Sequence, residues 1–480
     1  MEQMMGVKEP LPAELVDRVL RESSVSRWQD RIAVLRGMVG MVRQAIALPR
    51  MKRDFQHRLD DALRLERPLE SMRAEDLVAH YRGLEAKLLS RWDAPLINDF
   101  FAMIAYGVLR SWCRTWAGDT SGTAQNSLLV DQGGIISAEP ARAIIAMAAR
   151  VSAADAVILG DPDQAGAHGR TLLANDPELH RAWVTYLEKF GDRCLEELKL
   201  ESPTLRDDPA MLWAAIGAVA GMPARQAPAR ADAGAPRLSP VDTLAGNVHG
   251  PLRRILFRWL AGLAARRVKD RENLRFERTR LFGRVRAVMR ELGKRLAADQ
   301  RLVHGDEVFY LEVEEILGLF DATATTRDIA GLVAARSAEF AGYHAEAAPP
   351  DRLQTRGPIH RYRQFMSSPT AGPCEPSAAS DARARTGTGA SPGLVRGRVR
   401  VVRDPRDARM QAGEILVARQ TDPGWVMLFP LASGLLVERG SLLSHSAIVS
   451  RELGLPCIVG LDGACAWLHD GDEVEMNGST

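Results

Sequence analysis

Gly440-Ser441-Leu442-Leu443-Ser444-His445-Ser446-Ala447-Ile448-Val449-Ser450-Arg451-Glu452-Leu453-Gly454-Leu455-Pro456-Cys457-Ile458-Val459-Gly460 is the stretch that decides how this chain reads. An apolar run, Leu435-Leu436-Val437, precedes it and reads as a short buried strand. Ser444 is a natural N-cap, so a helix is expected to begin at His445 and to close at Gly454. Pro456 then leads into another apolar strand. His445 falls in the first turn, among backbone N–H groups that have no intrahelical partner. Such a terminus is a ready anion site, and a phosphoryl group carried on the imidazole would be held there. A lone histidine near an apolar strand is more often a plain core or surface residue. The length of the pattern around this one reverses those odds.

The pattern resembles the phosphohistidine swivelling domain of the phosphoenolpyruvate-utilising enzymes: phosphoenolpyruvate synthase, pyruvate phosphate dikinase and rifampin phosphotransferase. Their signature runs roughly Gly-Gly-x-x-(Thr/Ser)-Ser-His-Ala-Ala-Ile-x-Ala-Arg-Glu-x-Gly-x-Pro. Ser444, His445, Ala447, Ile448, Arg451, Glu452, Gly454 and Pro456 match it, whereas Arg439, Leu443 and Ser446 depart. The resemblance implies that His445 is the phosphoryl carrier. With leucine at 443 in place of the usual threonine, phosphate contacts are expected from neighbouring hydroxyls, Ser444 and Ser446 foremost. Gly387-Thr388-Gly389-Ala390-Ser391-Pro392-Gly393 upstream is similar to the start of the family's domain.

The chain has 480 residues, enough for two or three domains with full cores. Its formal charge of +2 argues against bulk nucleic-acid binding. No run of about 18 uncharged apolar residues suggests a membrane span, and the first ten residues lack the apolar core of a signal peptide. The five cysteines are scattered, without zinc or disulfide spacing. A cytoplasmic location is the simplest expectation.

Two low-complexity breaks divide the chain. The expected organisation is an N-terminal helical segment (1–90), a helical acceptor-binding body (91–356) interrupted at about 223–240, a flexible linker (357–386) and a small α/β swivelling domain (387–480). The fold class is thus a mainly α-helical body followed by a small α/β domain. Leu281, Val285, Val288, Leu292 and Leu296 form an amphipathic stripe on a long helix of the body. A linker of some 35 residues reaches roughly 30 Å root-mean-square, far enough to serve two separate sites.

The body resembles the rifampin phosphotransferase branch in several blocks, among them 126–135, 186–193 and 306–311. In that branch an Arg-Glu pair followed by a basic residue meets the phosphohistidine. Arg271, Glu272 and Arg275 are the counterparts here. Arg271, Arg275 and Arg278 share a helix face by their spacing, so they suit a transferring phosphoryl group. Glu272 suits the acceptor hydroxyl's proton. The plainer reading is a solvated arginine face, since Arg280, Arg284, Arg286 and Arg290 follow. Phe101, Met103 and Tyr106 lie in an aromatic, methionine-rich stretch that suits a flat apolar acceptor or plain core. Asp192 stands where the family often has histidine.

No P-loop is present in the sequence, and nothing in it resembles an ATP-grasp module. The resemblance therefore implies a phosphotransferase component. A separate ATP-grasp protein, holding ATP and Mg²⁺, loads His445, and His445 delivers the phosphoryl group to a small-molecule hydroxyl. No metal site, nucleic-acid partner or membrane partner is expected on this chain. The alternatives are a non-catalytic regulatory or binding homologue, and a component acting on an antibiotic as rifampin phosphotransferase does.

Overall fold

The computed structural model describes residues 27–120, 124–129, 134–222, 240–326, 328–346 and 384–479. The break at 223–240, most of the expected linker, Cys374 and residues 130–133 of one family-like block lie outside them, Pro240 and residues 384–386 apart.

The body is helical. Its longer helices are α1 (Arg27–Leu63), α2 (Ala74–Leu84), α3 (Asp93–Trp116), α4 (Glu139–Ala148), α5 (Ala153–Leu159), α6 (Pro162–Asn175), α7 (Pro177–Phe190), α8 (Ala210–Ala220), α9 (Pro251–Ala298), α10 (Val313–Phe320) and α11 (Ile329–Ala345). α9 is the spine, 48 residues long, or about 70 Å at 1.5 Å per residue. Gly250, at φ 90°, turns the chain into it, and Pro251 occupies its first turn, where a missing N–H costs nothing. The stripe Leu281, Val285, Val288, Leu292 and Leu296 is buried as the spacing predicts, against Phe55 and Leu59 of α1 and Leu77 and Leu84 of α2.

α3 runs antiparallel to α9. Near its start the Asn98 amide donates to the Arg267 carbonyl, and near its end Cys113 packs with Phe257 and Leu260. This pairing places the first half of α3 beside residues 267–271. Trp112 and Trp116 stack on one another at 4.0 Å and join the Phe257 cluster, so the end of the aromatic stretch is core. Among the described residues one helical stretch, Ile32–Leu63, is long and apolar enough to cross a membrane by length and composition alone. Its second half packs into the body core through Phe55, Leu59 and Ala62.

The C-terminal domain is a six-stranded sheet of β1 (Thr388–Ser391), β2 (Leu394–Val401), β3 (Ile415–Ala418), β4 (Gly434–Val437), β5 (Cys457–Val459) and β6 (Glu473–Asn477). The order is β1-β5-β4-β3-β2-β6. β2 to β5 are parallel, and β1 and β6 close the edges antiparallel. β3 and β4 are buried on both faces, as parallel central strands with covered faces must be. α12 (His445–Leu453) links β4 to β5. A helical body followed by a small α/β domain is thus what the chain forms.

Candidate active site

α12 begins where its capping chemistry places it. Ser444 is extended, and its Oγ accepts from the Ala447 N–H at 3.5 Å. Gly454 ends the helix in the left-handed region at φ 68°, where a Cβ would be strained. The start of α12 is directed at α9 of the body. His445 is consequently only 2 % exposed, and its Nδ1 lies 3.4 Å from Oε2 of Glu272. Its Nε2 is buried without a hydrogen-bond partner among the described residues.

Glu272 is equally enclosed, at 1 % exposure. The Ser137 hydroxyl donates to its Oε2 at 3.2 Å, while Oε1 has no partner among the described residues. Burial by itself pushes this carboxyl up. The hydrogen bond and charge of His445, with the positive field of Arg275 and Arg271, outweigh burial and hold it below its ordinary value.

The three arginines share a face, as their spacing dictates, but they are already engaged. Arg271 donates from Nη1 to the Leu443 carbonyl at 2.8 Å, with Asp99 at 3.6 Å from its Nε. Arg275 and Arg278 both reach Oε2 of Glu197, at 3.4 and 3.5 Å. Thr279 donates to the other Glu197 oxygen at 2.7 Å. The Nε atoms of Arg275 and Arg278 are buried and without partners among the described residues. Asp99 and Asp422 are pushed up by burial, Asp422 also by the charge of Glu197. Further along α9 the solvated-face reading gives way to ion pairs. Arg280 binds Asp60 and Glu277, Arg286 binds Asp207, and Arg290 binds Asp207 and Asp306.

The body grips the C-terminal domain largely through main-chain carbonyls. Arg142 donates to the Glu452 carbonyl, Arg193 to Pro423, Arg271 to Leu443 and the Asn126 amide to Gly389. In return, Arg451 donates from Nε to the Ala390 carbonyl of its own domain and from Nη2 to Asn126 Oδ1 at 3.3 Å. The Tyr106 hydroxyl donates to the same Asn126 oxygen at 2.9 Å. Arg451 is 1 % exposed, and burial pulls its guanidinium below its ordinary value. Gly424 admits the body backbone closely, since a Cβ there would sit 2.6 Å from the Cys194 carbonyl oxygen. The side chain of Leu443 packs with Tyr106, Leu129, Ile135 and Val268. At the position where the family has a hydroxyl, this chain has a docking contact.

The structure therefore brings His445, Glu272 and Arg271 together, with Arg275 beside them. Ser444 and Ser446 are 2.9 Å apart through their hydroxyls at the start of α12. Met103 is well exposed, one turn after Asp99 on α3, and Phe101 is half-buried against the exposed Phe100. Tyr106 is buried in the Asn126 network and lines one wall of a cleft of ≈ 390 Å³ with Arg110 and the 440–443 loop. Asp192 pairs with Arg206 and lies against Gly283. Sequence reasoning assigned no role to Ser137, Glu197, Asp99, Asn126 or Arg193. All but Asp99 sat in or beside family-like blocks, but no local spacing links them to the site.

A histidine at a helix start, seated by a small sheet domain against a carboxylate on a helical body, defines a two-part architecture. Residues 410–480 match the profile of the PEP-utilising enzyme mobile domain, and residues 97–272 that of the rifampicin phosphotransferase fourth domain. An uncharacterised protein of Mycobacterium tuberculosis is 33% identical over 343 residues, 71% of this chain and 36% of the relative. A rifampicin phosphotransferase of Streptomyces sviceus is 35% identical over 202 residues, 42% of this chain and 21% of the relative. The prodigiosin synthesizing transferase PigC of Serratia marcescens is 30% identical over 320 residues, 65% of this chain and 34% of the relative. The chain belongs to the phosphoenolpyruvate-utilising enzyme family. It spans about a third of the length of the curated relatives that it matches most extensively.

Proposed function

We propose that this chain is the phosphotransferase component of a phosphohistidine relay. His445 receives a phosphoryl group from ATP bound with Mg²⁺ on a separate ATP-grasp protein and passes it to a small-molecule hydroxyl. The observation that carries this reading is the buried approach of His445 to Glu272, 3.4 Å across the junction of the two parts.

The geometry favours Nε2 as the phosphorylated atom, because Nδ1 faces Glu272 while Nε2 has no partner among the described residues. In loading, the Nε2 lone pair forms the P–N bond as a P–O bond of the donor breaks. Nδ1–H then donates to Oε2 of Glu272, which fixes the tautomer. In transfer, the acceptor oxygen forms a P–O bond as the P–N bond breaks, and neutral imidazole leaves. The hydroxyl's proton passes to Glu272 after Nδ1–H has left Oε2 and the ring has turned to bring the acceptor to Oε1, which has no partner among the described residues; the carboxyl is held in its charged form. Arg275 and Arg278, paired with Glu197 but with buried Nε groups that have no partner among the described residues, offset charge on the moving group. The exposed Phe100 and Met103, beside Asp99, offer an apolar surface to the acceptor.

The test combines the full chain, Mg-ATP and a candidate ATP-grasp protein, followed by intact mass. The expected result is an acid-labile gain of one phosphoryl group that is absent in His445→Ala. No gain with a partner shown to bind this chain and cleave ATP would overturn the relay.

A further inference from the structure

The first half of α1 has no neighbour among the described residues. Every residue from Ile32 to Gln44 is exposed, and the first buried one is Leu48. Pro49 follows inside the helix and marks the point beyond which α1 packs into the core. Before it, Ile32, Leu35, Val39, Val42 and Ile46 succeed one another at steps of three and four residues, at exposures of 43 to 76%. This is a heptad seam. Ile32, Val39 and Ile46 take the a positions, and Leu35 and Val42 the d positions. β-Branched residues at a, with leucine at the first d position (Leu35), suit a two-stranded coil. Gly37 and Gly40 have open space around them, so a second backbone meets no obstacle there. In proteins most of a helix's stability comes from packing of such an apolar face.

Charge identifies the occupant. Arg36, Arg43 and Arg50 recur every seven residues along one flank of the seam, and no Asp or Glu occurs from Ile32 to Arg53. A second copy in parallel would set these arginines against Met38 and Ala45, and an antiparallel copy would set them against one another. Neither arrangement supplies a counter-charge. An anionic bilayer surface would accept the arginines but favours bulky aromatic anchors on the apolar face, and residues 32–48 hold no Trp, Tyr or Phe. We propose that the Ile32–Ile46 seam docks an acidic amphipathic helix of a partner protein. The partner helix lays its aliphatic residues into the seam and its carboxylates along Arg36 and Arg43, while Arg50 is paired with Asp54 of its own helix at 3.8 Å. The proposal is independent of the chemistry at His445.

The test uses the full chain and a synthetic three-heptad peptide with Ile at a, Leu at d and Glu at e and g. A second peptide carries Lys at e and g. Phosphatidylglycerol vesicles and sedimentation equilibrium complete the set, and circular dichroism confirms that each variant keeps its helices. The expected result is saturable binding of the Glu peptide, weakened about tenfold or more by Arg36→Glu/Arg43→Glu, which then prefers the Lys peptide. Val39→Asp is expected to abolish binding. The proposal is overturned by any of four results: no binding, Glu-peptide binding indifferent to the charge reversal, a dimer that Val39→Asp dissolves, or vesicle binding in place of peptide binding.

Discussion

Glu272 serves two neighbours with its two oxygens. Oε2 holds the His445 ring and the Ser137 hydroxyl, and Oε1 is buried with no partner among the described residues. The two roles separate by substitution. Glu272→Gln keeps the shape and an acceptor for Nδ1–H but removes the base. Transfer to the acceptor is expected to fall about 10²- to 10⁴-fold while His445 still loads, as read by phosphoenzyme mass against product formation. Glu272→Ala removes the ring's partner as well, and both readouts are expected to fall. The sign with pH follows from the same carboxyl. Its value in the docked pose lies below the ordinary 4.5, so its contribution to docking is complete above 4.5 and is lost as pH falls through the lower, docked value. Asp99 and Asp422 act in the opposite sense. Burial raises both, so they favour docking in their protonated forms and oppose it as pH rises through their raised values. Docking measured by hydrogen exchange across 445–453 should therefore weaken at both ends of an acid-to-neutral titration, with Glu272→Gln removing the acid limb.

At the scale of elements, the cross-junction grip at Asn126 is a compact target. It joins Tyr106 of α3 to Arg451 of α12 and to the Gly389 carbonyl of β1. Asn126→Ala leaves the Arg451 guanidinium and the Gly389 carbonyl each short of a partner. Unsatisfied buried groups cost about 1–3 kcal/mol apiece, so faster exchange of the α12 amides is expected with the body's melting unchanged. Unchanged α12 protection would show that docking does not depend on this grip. α12 itself was legible in the sequence at both ends, because Ser444 and Gly454 act within one turn of the backbone that they cap. The stripe Leu281–Leu296 was legible for the same reason, since helical spacing is local. β1 was not: Thr388-Gly389-Ala390-Ser391 has no strand-like alternation, and its pairing with β5 defines it. Of the site, His445 and Glu272 could be read from a resemblance. The links from Ser137 to Glu272 and from Glu197 to Arg275 span 135 and 78 residues, a distance that only tertiary packing sets.

For the whole molecule, the junction is held by side chains of the body reaching main-chain carbonyls of the C-terminal domain at residues 389, 423, 443 and 452. Carbonyls do not change with sequence, so substitutions on the domain's surface leave this grip intact, whereas Arg142, Arg193 and Arg271 on the body do not share that tolerance. Arg193→Ala is expected to loosen the domain more than any exchange of the exposed Arg396 does, as measured by proteolysis of the 384–479 domain. Arg193 is fully enclosed and holds the Pro423 carbonyl, while Arg396 makes only an exposed pair with Glu473.

The enclosure of His445 has one more consequence. An imidazole with 2 % of its surface in contact with solvent is deaf to reagents in the bulk. Diethyl pyrocarbonate can reach it only while the domain is lifted from the body. The rate at which the His445 peptide gains a carbethoxy group, set against that of the exposed His469, therefore counts how often the junction opens. The protein carries its own clock.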